Sequence, residues 1–182
     1  MLKLSTYKRS ILIKKQSNLI FIGDSLTQFH DWSHFGLHHN AGIAGDTTDG
    51  LLYRLHYSLE KNPSTLVFQI GINDLLQGSY VEIIKQNYTK IFEHIKAIKN
   101  VYILSLLPVE MLDQTLQINE NIILLNHFLK QLAKEYNFSY IDLYSQMLAE
   151  DGGIKSELTS DGVHLTPKAY TIWEASLEDH LQ

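Results

Sequence analysis

Short unbroken apolar runs alternate along the chain with longer stretches in which apolar residues return at helical spacing. The runs are Leu19-Ile20-Phe21-Ile22, Leu66-Val67-Phe68-Gln69-Ile70, Val101-Tyr102-Ile103-Leu104 and Tyr140-Ile141-Asp142-Leu143. Runs this short and continuous suit strands buried on both faces. A smaller strand is expected near His38–Gly42. Between them, Asp46-Thr47-Thr48 offers N-cap oxygens to a helix continuing toward Leu59, and Asn62-Pro63 closes it. Tyr80 to about Ile98 carries Val81, Ile84, Tyr88, Ile91, Ile95 and Ile98 on one stripe, and Ile118 to about Tyr136 carries Ile122, Leu125, Phe128, Leu129 and Leu132. A loop from about Asp151 to Leu165 leads to Pro167, well placed for the first turn of a last helix through Ala169 and Trp173 to Leu177.

Strands alternating with helices imply right-handed crossovers, hence an α/β fold of three layers, α/β/α, around a parallel sheet. Five strands in the flavodoxin-like order 2-1-3-4-5 fit the count. In such sheets ligands bind beyond the carboxyl ends of the strands. Ser25, Gly45 and Asn73 follow the first three strands, and the loop with Asp161 and His164 comes after the fifth. All four segments should meet at one edge.

The chain has 182 residues, which suits one domain with a sizeable core and no need of staples. The absence of cysteine excludes a thiol nucleophile, disulfides and thiolate metal sites. A net charge of -5 disfavours a nucleic-acid partner. Positive charge is concentrated in Lys3, Lys8, Arg9, Lys14 and Lys15, around Ile11-Leu12-Ile13. Residues 1–17 therefore read as a helical extension of the domain. Its narrow apolar stripe fits packing on the domain better than a membrane surface. No stretch reaches the ~20 apolar residues of a membrane span, and the first apolar run is short for a secretion signal. A cytoplasmic protein without stable membrane insertion is expected.

Gly23-Asp24-Ser25-Leu26 places a serine where a buried strand stops. Its hydroxyl would sit at the strand tip, with its backbone N–H free to face an oxyanion. The pattern lacks the second glycine of a Gly-x-Ser-x-Gly elbow, and alone it reads more simply as a helix cap. Asp161-Gly162-Val163-His164 supplies the partners a serine needs. An imidazole takes the hydroxyl proton, and a carboxylate three residues earlier orients the ring. Alone, this is also a common Asp-Gly turn. Gly45, in the loop Asn40-Ala41-Gly42-Ile43-Ala44-Gly45-Asp46-Thr47-Thr48, can offer a backbone N–H to an oxyanion, and Asn73 in Gly71-Ile72-Asn73-Asp74 a side-chain N–H. Each block has a bland reading as a turn. Together they supply nucleophile, base, orienter and oxyanion donors, the full set for acyl transfer.

The four blocks resemble the SGNH hydrolases, the GDSL lipase/esterase family, from about Leu19 to Trp173. The resemblance implies the SGNH hydrolase fold, with Ser25 as nucleophile, Asp161 and His164 as its triad partners, and Ser25, Gly45 and Asn73 as the oxyanion hole. It also implies a small-molecule ester substrate, a short acyl or acetyl ester above all, with no cofactor and no metal. Gly42-Ile43-Ala44-Gly45-Asp46-Thr47-Thr48, with Arg54-Leu55 and Leu106-Leu107-Pro108, is similar to the platelet-activating-factor acetylhydrolase branch. Two rivals remain. The same site could pass the acyl group to an alcohol, making an acyltransferase. A non-catalytic flavodoxin-like binding module would want a phosphate cradle after the first strand, where Asp24 would repel phosphate.

His30, His34 and His38 are spaced for a helical metal site, but Gly36 interrupts any helix there, so a partly exposed histidine-rich loop is expected. Phe29, Trp32 and Phe35 are candidates for a substrate pocket or simply for the core. Leu75-Leu76 and Val109 to Leu112 are candidate apolar walls, and Asp24 and Asp74 are expected to hold loops by hydrogen bonds.

Overall fold

A computed structural model describes residues 19–110 and 115–181. The first apolar run forms β1 (Leu19–Gly23), between β2 (His38–Gly42) and β3 (Thr65–Gln69). β4 (Asn100–Leu104) and β5 (Ser139–Ile141) continue the sheet. Every pairing is parallel and the order is β2-β1-β3-β4-β5, as the alternation of strands and helices predicts.

Side chains of a strand alternate between its two faces, and both faces here are apolar. Ile20, Ile22, Leu66, Phe68, Val101 and Ile103 point to one side. There they meet Leu51 and Leu55 of α2 (Thr48–Leu59) and Ile91 and Phe92 of α4 (Val81–Ile95), with α5 (Thr115–Glu135) completing the layer. Phe21, Val67 and Leu104 point to the other. That side is covered by Tyr170, Trp173 and Leu177 of α7 (Pro167–Leu181) and by Trp32 of a 3₁₀ turn at Trp32–Phe35. Trp32 stacks on Phe21 with ring centroids 4.4 Å apart and meets Trp173 edge-on at 5.2 Å. Trp32 is thus a core residue, and the half-buried Phe35 packs against the same cluster. Burying an aromatic of this size contributes a few kcal/mol.

Four of the strands lie within a residue or so of their predicted ends, but β5 stops at Ile141 rather than Leu143. The backbone leaves the ladder because side chains capture it. Leu143 N–H and Tyr144 N–H both donate to Ser105 Oγ, and Ser145 N–H donates to Asp142 Oδ1, which starts the short helix α6 (Tyr144–Met147). Two further short helices, α1 (Ser25–Gln28) and α3 (Ile72–Leu76), carry no periodicity that a sequence reading could detect. The N-terminal extension and residues 111–112 of the candidate apolar wall lie outside the described residues. No described helix is long and apolar enough to cross a membrane.

Candidate active site

The parallel register sets the strand ends side by side: Gly23 pairs with both Gly42 and Gln69. The loops that follow β1, β2 and β3 therefore start within one patch, as the topology requires. Ser25 is the first residue of α1, buried to 5% exposure. Asp24 caps that turn by accepting from Leu26 N–H at 2.9 Å. Trp32 Nε1 and Asn40 Nδ2 both donate to Thr27 O, so the turn is held from the core and from β2.

The segment Thr159–Leu165 closes on itself through an isolated antiparallel bridge between its ends. Inside it, Asp161 Oδ1 accepts from Val163 N–H at 3.0 Å and from His164 N–H at 2.7 Å. Its other oxygen lies 2.6 Å from His164 Nδ1, and His164 Nε2 lies 3.1 Å from Ser25 Oγ. The carboxylate keeps the ring proton on Nδ1, so the Nε2 lone pair faces the serine hydroxyl. The backbone N–H of His164, then the ring and the Val163 N–H, hold Asp161 down to a pKa of about 2. It stays ionised throughout the range in which imidazoles titrate.

The two predicted oxyanion donors sit on loops tied to each other. Asp46 N–H donates to Ile43 O, closing a turn whose third residue, Gly45, has φ +77. That left-handed position favours glycine. Gly45 is exposed, and among the described residues its N–H meets no acceptor. Asn73, in α3, donates through Nδ2 to Asp46 O at 2.9 Å, which leaves its second amide proton available. The loop after β2 is further held by Gln28 Oε1, which accepts from Ala44 N–H. Asp74 accepts from both Thr48 N–H and Thr48 Oγ1, fixing the start of α2 to α3. Burial raises its pKa despite those bonds.

Arg54 is a residue whose place a sequence reading misses. From α2 its guanidinium reaches Asp46 Oδ2 at 2.6 Å, Ala41 O at 2.8 Å and Gly23 O at 3.1 Å. One planar fork thereby clamps the end of β1, the end of β2 and the Gly45 loop together. The sequence marks Arg54 only as part of a family resemblance; nothing in its spacing says which oxygens it meets.

Asp24 is fully buried, and its Oδ2 has no hydrogen-bond partner. Burial pushes its carboxyl up to a pKa of about 7, the Leu26 N–H opposing and Asp46 adding to the rise. A carboxyl whose folded pKa is raised binds its proton more tightly when folded, so its stabilising contribution is present at low pH and lost as pH rises toward 7. Between pH 5 and 8 the wild-type chain is expected to lose about 2–3 kcal/mol of unfolding free energy from this group. Asp24→Asn keeps the Oδ1 acceptor and should flatten that slope. Urea titrations of both proteins at the two pH values check this; equal slopes would mean that Asp24 is ionised when folded.

Of the histidine-rich segment, His30 pairs with Glu174 at 2.9 Å and His34 with Glu178 at 2.8 Å, both on α7. No cluster able to hold a metal is found among the described residues. Phe29 is separate from its aromatic neighbours: it is 63% exposed, and its ring centroid lies 5.8 Å from that of His164. Leu75 instead lines a hollow with Val81 and Ile118 that includes none of Ser25, Asp161 or His164.

Comparison with known proteins bears on this arrangement. Residues 21–172 match the GDSL-like lipase/acylhydrolase family. N-acylneuraminate cytidylyltransferase of Streptococcus agalactiae serotype V is 27% identical over 169 residues, covering 93% of this chain and 40% of the relative. The chain thus spans less than half the length of the curated relatives it matches. Among solved structures, a platelet activating factor from Streptococcus pneumonia is 25% identical, with a TM-score of 0.80 over 98% of this chain and 90% of that one. A GDSL-like lipase from Bacteroides thetaiotaomicron is 24% identical, with a TM-score of 0.78 over 98% and 96%. An acetyl-xylooligosaccharide esterase variant from Geobacillus, at 18% identity and a TM-score of 0.75 over 90% and 93%, shares the fold. With a family match that takes in all four strand-end loops, the chain belongs to the GDSL-like lipase/acylhydrolase family.

Proposed function

We propose that the chain cleaves carboxylic esters of short acyl groups, acetyl foremost, through a Ser25–His164–Asp161 triad and an acyl-enzyme. The observation that carries the reading is the continuous line from Asp161 Oδ2 through both ring nitrogens of His164 to Ser25 Oγ, at 2.6 Å and 3.1 Å. Ser25 Oγ attacks the ester carbonyl while Nε2 takes its proton. The tetrahedral oxyanion is met by the N–H of Ser25, the N–H of Gly45 and Nδ2 of Asn73. The tetrahedral intermediate collapses, the C–O bond to the alcohol breaks, and Nε2 returns the proton to the leaving oxygen. Water then attacks the acyl-enzyme with Nε2 again as base, which releases the acid and restores Ser25.

Water is the acceptor this reading favours over a second alcohol, because the His164 side chain is 40% exposed and solvent has access to it. The segments that carry the donor candidates, Gly45-Asp46-Thr47 and Asn73-Asp74, are polar and offer little surface to a long apolar chain. On p-nitrophenyl esters of graded length, kcat/KM is expected to be highest for acetate. A rise with chain length overturns the short-acyl assignment, and transfer to added glycerol in preference to water overturns hydrolysis. Asn73→Ala should lower kcat by ~10²–10³-fold with little change in KM, since the donor acts on charge that develops in the transition state. A change confined to KM would remove Asn73 from that role.

A further inference from the structure

A hollow of about 480 Å³ opens beside His164, between the end of α1 and the face of α7. Its walls include Phe29, His30, His164, Pro167, Tyr170 and Glu174. The volume falls in the range of small-molecule sites, about 300–1,000 Å³. Neither Gly45 nor Asn73 lines it. The leaving oxygen must take its proton from His164 Nε2, so the alcohol portion of the ester has to lie along the imidazole. The hollow that the imidazole itself walls is therefore on the alcohol side.

The chemistry of the walls restricts what can enter. Phe29 presents an open aromatic face next to the imidazole, and Pro167 adds an apolar wall. Of the polar walls, the Thr171 hydroxyl already donates to Pro167 O and the Tyr170 hydroxyl to Leu26 O, and the charged one is Glu174, whose Oε1 is held by His30 Nε2 at 2.9 Å and whose side chain is 23% exposed. Among the described residues His30 is its one partner, which leaves Oε2 to accept a further hydrogen bond. No lysine or arginine lines the hollow, so an anionic alcohol would find a carboxylate and no fixed positive charge. Nor is a cage for a quaternary ammonium built. Such a cage needs several aromatic faces, and the face of Tyr170 is taken by His30, stacked at 4.1 Å and 5°. We propose that this hollow is the leaving-group subsite and that Glu174 selects there for uncharged alcohols bearing free hydroxyls, the rest of the alcohol packing on Phe29.

The proposal rests on the Ser25–His164 reading, and the two are tested apart. Hydrolysis of p-nitrophenyl acetate by the wild-type chain, lost in Ser25→Ala, tests that reading without involving Glu174. The subsite is tested with three acetate esters that share one acyl-enzyme: glycerol 1-acetate, 3-O-acetylglycerate and acetylcholine. Differences in kcat/KM then report the alcohol alone. Intrinsic reactivities differ among the three, so the readout is the change between proteins. Glu174→Gln keeps the size and an acceptor but removes the charge. It is expected to lower the kcat/KM ratio of glycerol acetate over acetylglycerate by about fivefold or more, as removal of a partly desolvated like charge a few ångströms away should. Phe29→Ala, at an exposed position whose loss opens no core, should reduce kcat/KM for glycerol acetate while leaving the ranking of acyl lengths on p-nitrophenyl esters as it was. A ratio unchanged by Glu174→Gln within twofold overturns the assignment. So does a wild-type chain that prefers acetylcholine, or a Phe29→Ala protein whose acyl-length ranking changes instead.

Discussion

Ser25→Ala is expected to lower kcat/KM on p-nitrophenyl acetate by about 10⁴-fold or more while the chain stays folded. The hydroxyl is the one atom that the triad reading places in covalent contact with the substrate, and its removal leaves only the oxyanion donors and binding. The fold should tolerate the change: the side chain shrinks by one atom, and the lost partner, His164, has a partly exposed side chain that can bond to water. Residues that act as a unit lose activity together. Ser25→Ala, His164→Ala and the double variant should therefore share nearly the same residual rate, far above the product of the two single effects. Asp161→Asn should cost about 10⁴-fold, since an amide no longer holds the ring proton on Nδ1. Wild-type Asp161, held down to about 2, remains a carboxylate over the whole working range, so its own protonation should leave no mark on the acid limb of kcat/KM. Steady-state rates, with circular dichroism as the check on folding, measure all of these. A Ser25→Ala protein that retains a tenth of the activity would sink the mechanism.

The second large effect is expected at Gly162, the residue between Asp161 and Val163. Its φ is +91, and a Cβ added there would stand 1.8 Å from Glu110 O and 2.9 Å from Glu110 C. These are backbone atoms, and they are fastened to the same loop, because Glu110 N–H donates to Gly162 O at 2.8 Å. Gly162→Ala cannot be absorbed by a side-chain movement, so the loop must leave the Glu110 strap. The Asp161 and His164 side chains would move with it, and a displacement of about 1 Å at a reacting group is worth on the order of 10²-fold in rate. We expect a fall in kcat/KM of at least that size, with about 2–4 kcal/mol lost locally to left-handed strain and the clash. Gly152→Ala is the control. It has the same φ of +91 but nothing within 4 Å of the added carbon. It should cost only the backbone strain, about 1 kcal/mol, and no activity. Hydrogen exchange at the amides of Val163 and His164, slow in wild type and fast in Gly162→Ala, would locate the damage. Equal behaviour of the two alanine variants would show that the strap is dispensable.

The sequence by itself determined the layout: which runs are strands, in what order they lie, and which loops share an edge. Strands such as β1 and β3 are apolar on both faces, and a chain with that pattern can satisfy it only as the middle of a covered parallel sheet. Once the order is set, the ends of β1, β2 and β3 must be neighbours, and so Ser25, Gly45 and Asn73 were placed near one another from chain order alone. The Asp161–His164 contact was also legible, because it lies within one turn of chain. Only the tertiary structure decided the contacts that join residues remote in sequence through long side chains. Arg54 shows its role only when three carbonyl and carboxylate oxygens from different segments converge on it. Phe29 and Trp32 look alike in the sequence, yet one faces the imidazole and the other the core, because Phe29 caps the end of α1 whereas Trp32 opens the 3₁₀ turn that follows. Glu174 meets His30 across 144 residues, and Gly162 owes its necessity to the backbone of Glu110. Periodicity records which face of an element is apolar; it carries no record of which remote atom will fill a given space, and that is settled only when the layers pack.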